Sequence, residues 1–202
     1  MSEGIELILW DSSPQESLLD ETWKTGASLH KLTRRFDHVY GADKWEELLR
    51  WAIYMSRDTW IRELHFWGHG MWGRAYVGLQ AINWHAMENP DNRLYELFEE
   101  LSTRFRTNSL LWFRTCCSFG GEDGHHFAKS LLRRFQCRVA SQTRVIWMLH
   151  SGIHTLSLEK PDPDWSTKEG MKRKKGKVVP TWSMPWHKHT RLVTQDRIPR
   201  SW

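Results

Sequence analysis

Short apolar runs alternate along this chain with segments whose apolar residues recur every three or four positions. Ile5 to Trp10, Ile61 to Trp67 and Leu110 to Thr115 are dense in Ile, Leu, Phe and Trp. Runs of that length, bounded by turn formers, predict strands buried on both faces of a parallel sheet. The first stops at Asp11-Ser12-Ser13-Pro14, a turn signal. Between the runs lie helical periods. Asp43 to Met55 keeps Trp45, Leu48, Leu49, Ala52 and Ile53 on one face, and Asn92 to Phe105 aligns Leu94, Leu97, Phe98, Leu101 and Phe105 behind a cap at Asp91 or Asn92. His125 to Phe135 aligns Phe127, Ala128, Leu131, Leu132 and Phe135. A further helix is expected over Gln15 to Lys24, capped by Ser12 or Ser13 with Pro14 at an early position, and an edge strand over Ala27 to Leu32. Ala75 to Val77 and Leu79 to Ile82 predict a hairpin about Gly78; Cys137 to Ala140 and Val145 to Leu149 predict later strands. The fold class that follows is α/β, a mainly parallel sheet with helices on both faces.

Composition shifts at Pro161-Asp162-Pro163-Asp164. Residues 1–160 are expected to form one domain, and residues 161–202 a basic, Trp-containing and partly mobile extension. Within it, Lys168 to Lys177 predicts a solvated loop. The formal charge is +5, from 29 basic and 24 acidic residues that are mostly mixed. That balance does not imply nucleic acid, and the basic stretch has no aromatic platform beside it in sequence, so a nucleic-acid partner is not expected.

The three cysteines, Cys116, Cys117 and Cys137, include two neighbours. An odd, sparse set argues against a disulfide framework and for a reducing compartment. Met1 to Trp10 lacks a secretory pattern, and no apolar run reaches the roughly 20 residues of a membrane span. A soluble cytoplasmic protein is expected. The 14 tryptophans serve mainly packing, although Trp72 and Trp84, flanking a histidine segment, are candidates for the walls of a cleft.

Two of the apolar runs end in chemistry. Leu64-His65-Phe66-Trp67-Gly68-His69-Gly70 ends in a histidine, and Leu110-Leu111-Trp112-Phe113-Arg114-Thr115-Cys116-Cys117 in a thiol. Ligands and catalytic groups of open α/β sheets gather at the carboxyl ends of strands, so His69 and Cys116 share the functional edge. Alone, His69 is a turn histidine and Cys116 a small buried side chain. Together they make a nucleophile with its base, able to run acyl transfer without a cofactor. His65, inside its strand, is expected to be a core histidine. Zinc binding by Cys116, Cys117, His125 and His126 is the weaker alternative, because adjacent cysteines lack the usual two-residue spacer.

The order and spacing of these segments resemble the caspase-like cysteine peptidases of clan CD. A closer resemblance is to the bacterial caspase-like domain found at the start of large surface or adhesin-like proteins. It rests on Ile8-Leu9-Trp10-Asp11-Ser12-Ser13, on His69-Gly70 followed by Gly73 and Gly78, on Cys116 followed by Gly121, Gly124 and Phe127, and on Cys137-Arg138-Val139-Ala140-Ser141, over roughly residues 5 to 150. The resemblance implies a caspase-like fold with a short hairpin after His-Gly. It also implies Cys116 as nucleophile, His69 as general acid/base, and an oxyanion hole from the backbone N–H groups of Gly70 and Cys116. A protein or peptide substrate follows, with self-processing, a role in bacterial defence or cell death, and a partner protein controlling activity. Thr115 departs from the smaller residue usual before the nucleophile, and Cys117 adds a second thiol. The choice between the cysteines rests on spacing, and an inactive, partner-binding member is the alternative. The resemblance also places Asp11 in the pocket for the substrate residue before the scissile bond. A carboxylate there favours Lys or Arg, which makes Lys172 to Lys177 a candidate self-cleavage site. The competing role for Asp11 is capping the turn or helix that follows it.

Overall fold

In a computed structural model, which describes residues 4–14, 35–195, 197–199 and 202, the apolar runs form the middle of a six-stranded sheet. The elements are, in chain order, β1 (Ile5–Asp11), β2 (His38–Ala42), α1 (Trp45–Met55), β3 (Ile61–Trp67), β4 (His69–Met71), β5 (Arg74–Val77), β6 (Gln80–Ile82), α2 (Trp84–Glu88) and α3 (Tyr95–Ser102). They continue with β7 (Phe105–Arg114), α4 (Gly121–Phe135), β8 (Arg138–Gln142), β9 (Leu149–His150), β10 (Ile153–Leu156), β11 (Met171–Lys174), β12 (Lys177–Pro180) and β13 (Arg191–Leu192). The sheet order is β10-β8-β7-β3-β1-β2. Neighbours are parallel except for β10, which runs antiparallel to β8. The expected α/β architecture with a mostly parallel sheet is therefore present. No helix among the described residues is long and apolar enough to cross a membrane.

Near-continuous apolar runs suit β1, β3 and β7 because each has sheet neighbours on both sides and packing on both faces. Helices α1, α3 and α4 bury their apolar stripes against one face, on Leu7, Leu9, Leu64, Phe66, Leu111, Phe113 and Val139. Trp45 of α1 lies 4.3 Å from the Phe66 ring, and Phe127 of α4 lies 5.5 Å from Phe113. The other face is covered differently. Ile8 and Trp67 pack with Phe36 and Val193, while Leu110, Trp112, Ala140 and Ile153 pack with Ile198 and Trp202. The C-terminal segment is thus a strap across this face. The helix expected over 15–24 and the strand over 27–32 lie outside the described residues; the edge strand described is β2.

Several boundaries differ from the periodicity. The helix expected over 92–105 spans only Tyr95–Ser102. Asn92 accepts the Leu94 N–H in a turn of its own, and Phe105 already pairs with Ile61 as β7. The helix expected from His125 starts at Gly121, with Glu122 and Asp123 in its first turn and Arg133 and Arg134 in its last, both favourable to the helix dipole. Val145 to Leu149 is not a strand of the six-stranded sheet, although Leu149 opens the short β9; the last strand of that sheet in chain order is Ile153–Leu156. Lys168 to Lys177, expected as a loop, contains most of the β11-β12 hairpin. Its two-residue turn, Lys175-Gly176, has φ of 48° and 79°, the positive pair that matches strand twist in tight hairpins.

The strap is fastened by a buried cation. Arg114 is fully buried between the Trp67 and Trp112 rings, 4.2 and 4.4 Å from their centroids. Its Nη2 donates to the Val193 carbonyl at 2.7 Å and the Gln195 carbonyl at 3.3 Å. Arg114→Ala leaves those carbonyls unpartnered and opens a gap between two indoles. It is expected to cost about 3–5 kcal/mol in urea unfolding. A loss below about 1 kcal/mol would show that the strap docks without it.

Candidate active site

The site is built where β3 and β7 end side by side. Their register pairs Trp67 with Arg114. Two residues beyond each lie His69 and Cys116. After Trp67 the chain turns into a three-stranded antiparallel sheet, β4-β5-β6, which contains the expected hairpin and adds a strand that carries His69 and Gly70. After Arg114 it enters a tight loop, Thr115 to Gly120, that leads into α4.

The two pieces are in direct contact at Gly70. A β-carbon there would fall 2.4 Å from Ser118 Oγ, 2.6 Å from the Cys116 carbonyl oxygen and 2.7 Å from Thr115 Cβ. Only a glycine lets the strand of His69 press this closely on the loop of Cys116. Hydrogen bonds hold the approach. The Gly73 N–H donates to the Ser118 carbonyl at 3.0 Å, and Ser118 Oγ donates to the Arg74 carbonyl at 2.7 Å. Thr115 is fully buried, and its Oγ1 lies 2.6 Å from Ser118 Oγ. The larger residue before the thiol is thereby accommodated by a hydroxyl pair.

Cys116 is 7% exposed. Its Sγ accepts the Ile146 N–H at 3.5 Å, and its S–H faces the Ile146 carbonyl at 3.9 Å. Ile146 and Cys117 pack with it, and Trp72 and Val145 close the cluster. Burial pushes the Cys116 thiol up to about 11, with the Ile146 backbone pulling weakly the other way. Cys117 is fully buried with a left-handed φ of 57°. Its N–H donates to the Arg144 carbonyl at 3.1 Å, and burial pushes its thiol higher still. All three cysteines are free thiols, and Cys137, buried in the main core, is raised to about 12 by burial.

His69, partly exposed, sits in β4 opposite Tyr76. His65 is fully buried between Phe36 and Trp112, at ring distances of 4.7 and 5.0 Å. Burial drives it down to about 4 against the opposing pull of Glu63, so it is a neutral core histidine at pH 7.

Asp11 is 5% exposed at the end of β1. Its Oδ1 accepts the Ser13 N–H at 3.0 Å and the Ser13 hydroxyl at 2.6 Å, and its Oδ2 accepts the Gly78 N–H at 3.1 Å. The carboxylate thus caps its own turn and ties β1 to the turn of the β5-β6 hairpin.

Of the two tryptophans singled out, Trp72 packs against the cysteine cluster, whereas Trp84 stacks on His85 at 3.5 Å, on α2. The proposed zinc ligands are divided. His125 packs on Trp165 at 5.1 Å and His126 lies 6.2 Å from Trp84, while the two cysteines pack with Ile146. Among the described residues no group of His, Cys, Asp or Glu is arranged to hold a metal ion.

Ile146 is the site residue that the sequence does not announce. Its segment has the apolar character of a strand, and nothing local distinguishes a strand from a cover over a thiol. The chain matches no family model and no curated protein.

Proposed function

We propose that the protein is a cysteine endopeptidase of caspase-like type, with Cys116 as nucleophile and His69 as general acid/base. The close contact of Gly70 with the Cys116 loop is the observation that carries this reading, because it sets a histidine-bearing strand against the only thiol at that edge with any exposure. In the reaction His69 takes the thiol proton and Sγ attacks the substrate carbonyl carbon. The backbone N–H groups of Gly70 and Cys116 meet the oxyanion. The C–N bond breaks as His69 protonates the leaving amine, and water hydrolyses the thioester.

The conformation described is closed over the thiol, so substrate entry has to displace Val145 and Ile146. That closure also supports a second reading, a scaffold of the same fold that binds a protein partner without turnover. A fluorogenic peptide library, together with an electrophilic peptide probe that labels only a competent thiol, separates the two. The peptidase reading expects cleavage and labelling at Cys116. A protein that neither cleaves nor labels, yet is fully folded, is the scaffold.

The library also tests Asp11. Three donors already occupy its carboxylate, which supports a role in tying the fold together. Cleavage after Lys or Arg that is lost in Asp11→Ala, with the variant still folded, would instead assign it to the substrate pocket.

A further inference from the structure

The β11-β12 hairpin carries five basic residues, Lys172, Arg173, Lys174, Lys175 and Lys177, and no acidic one. They equal the formal charge of the whole chain, +5, so the rest of the chain is balanced and the excess is gathered on one ribbon. All five are exposed. The pairings Lys172 with Val179 and Lys174 with Lys177 put those side chains on one face. Met171 belongs to the other face, and its methyl group lies against Gly121, 3.1 Å from where a β-carbon would sit. The lysine face is therefore turned away from the body of the protein. Lys172 and Lys174 stand about 7 Å apart along it.

The ribbon rises from an aromatic base. Trp182, two residues past β12, is 55% exposed, and Trp186 is 75% exposed. Trp186 borders a cleft of about 320 Å³ with Arg144, Lys188, His187 and Glu169. The base of the ribbon adjoins that cleft. Glu169 lies just before it, and Thr181, just after it, accepts from Arg144 Nη1 at 2.7 Å. Glu169 is outnumbered there by Arg144 and Lys188, and its Oε1 is engaged by His154 Nε2 at 2.9 Å and Thr143 Oγ1 at 2.8 Å.

We propose that this surface binds single-stranded nucleic acid, the lysine face following the phosphates and the exposed indoles of Trp182 and Trp186 stacking on bases. Cations in a row with aromatic side chains at the foot are the two parts such binding needs. An acidic polypeptide would use the cations and leave the indoles without a role. The sequence places no aromatic residue within the basic stretch, but Trp182 follows Lys177 by five residues, just past the base of the hairpin.

The test is fluorescence anisotropy of the full chain with labelled oligo-dT and oligo-U of 20 nucleotides, across salt. With about five phosphates neutralised, affinity should fall roughly 100-fold between 50 and 200 mM salt. Replacing Lys172, Lys174 and Lys177 together by Gln should lower the slope of log affinity against log salt by about 2. Trp182→Ala should weaken binding about tenfold with the slope unchanged. These substitutions are on the surface, and circular dichroism checks that each variant folds. Binding of either oligonucleotide with these responses supports the proposal, and the ratio of the two reports any preference for RNA or DNA. An unchanged salt slope in the triple variant overturns it. So does Trp182→Ala without effect while polyglutamate competes as well as the oligonucleotide, which would identify an acidic protein partner. Tighter binding to phosphatidylserine vesicles than to either oligonucleotide also overturns it.

Discussion

Cys116→Ala is expected to abolish peptide turnover, a loss of at least about 1,000-fold, while Cys117→Ala keeps most of it. The two thiols are neighbours in sequence but not equivalent in space. Cys116 lies on the loop pressed by Gly70 and keeps a small exposure, 7%. Cys117 turns inward through its left-handed φ, is fully buried, and has its N–H committed to the Arg144 carbonyl. A substrate carbonyl can approach the first once Ile146 moves, and has no route to the second. Alanine at 117 removes one buried sulfur, a change of small volume. His69→Ala should fall almost as far as Cys116→Ala, and combining the two should add little, because groups that act as a unit are not additive. Kinetics on the best library peptide decide this. Activity that survives in Cys116→Ala and disappears in Cys117→Ala would exchange the roles of the thiols.

Alkylation of Cys116 by iodoacetamide is expected to be about 10,000-fold slower at pH 7 than at its alkaline plateau. The thiolate is the reactive form, and burial raises this thiol to about 11, so the rate should climb about tenfold per pH unit from neutrality. An exposed cysteine would level off near its ordinary value, about 8.5. Ile146→Ala should move the profile to lower pH, since it thins the cover while keeping the backbone N–H. Peptide mapping by mass spectrometry assigns the label. A plateau near pH 8 to 9 at Cys116 in the unmodified protein would show that the thiol is not enclosed in solution. Stability carries the same sign. A thiol raised from 9.0 to about 11 stabilises the fold fully below pH 9, and that contribution is lost as pH rises through 11. The loss is about 3 kcal/mol, so folding is monitored alongside the labelling.

How much of this was legible in the sequence depends on the range of the forces involved. Strands β1, β3 and β7 follow from apolar runs, and α1 from its stripe at Trp45, Leu48, Leu49, Ala52 and Ile53, because burial is written locally in side-chain type. The run of Ile61 to Trp67 also carries His65, and a histidine amid Leu, Phe and Trp is a core residue on composition alone. His69 and Cys116 were findable because both stand just past the ends of such runs. The sequence by itself therefore determined a mostly parallel α/β sheet and the placement of His69 and Cys116 just past the ends of two neighbouring strands. Tertiary structure decided the rest. The Val145 to Leu149 run has the apolar content of a strand, yet Val145 and Ile146 pack on the thiol, and β10 takes the sheet position beside β8. Asp11 was open to two roles, and only the approach of the hairpin put the Gly78 N–H on its carboxylate. Arg114 looks out of place in an apolar run until Trp67, Trp112 and the carbonyls of Val193 and Gln195 surround it. The Lys172 to Lys177 stretch carries its charge in sequence, but its single lysine face exists only once Lys174 pairs with Lys177. Hydrophobic periodicity is a property of neighbouring residues, whereas the cover on a thiol and the partners of a buried charge come from segments far apart in the chain, and packing alone brings those together.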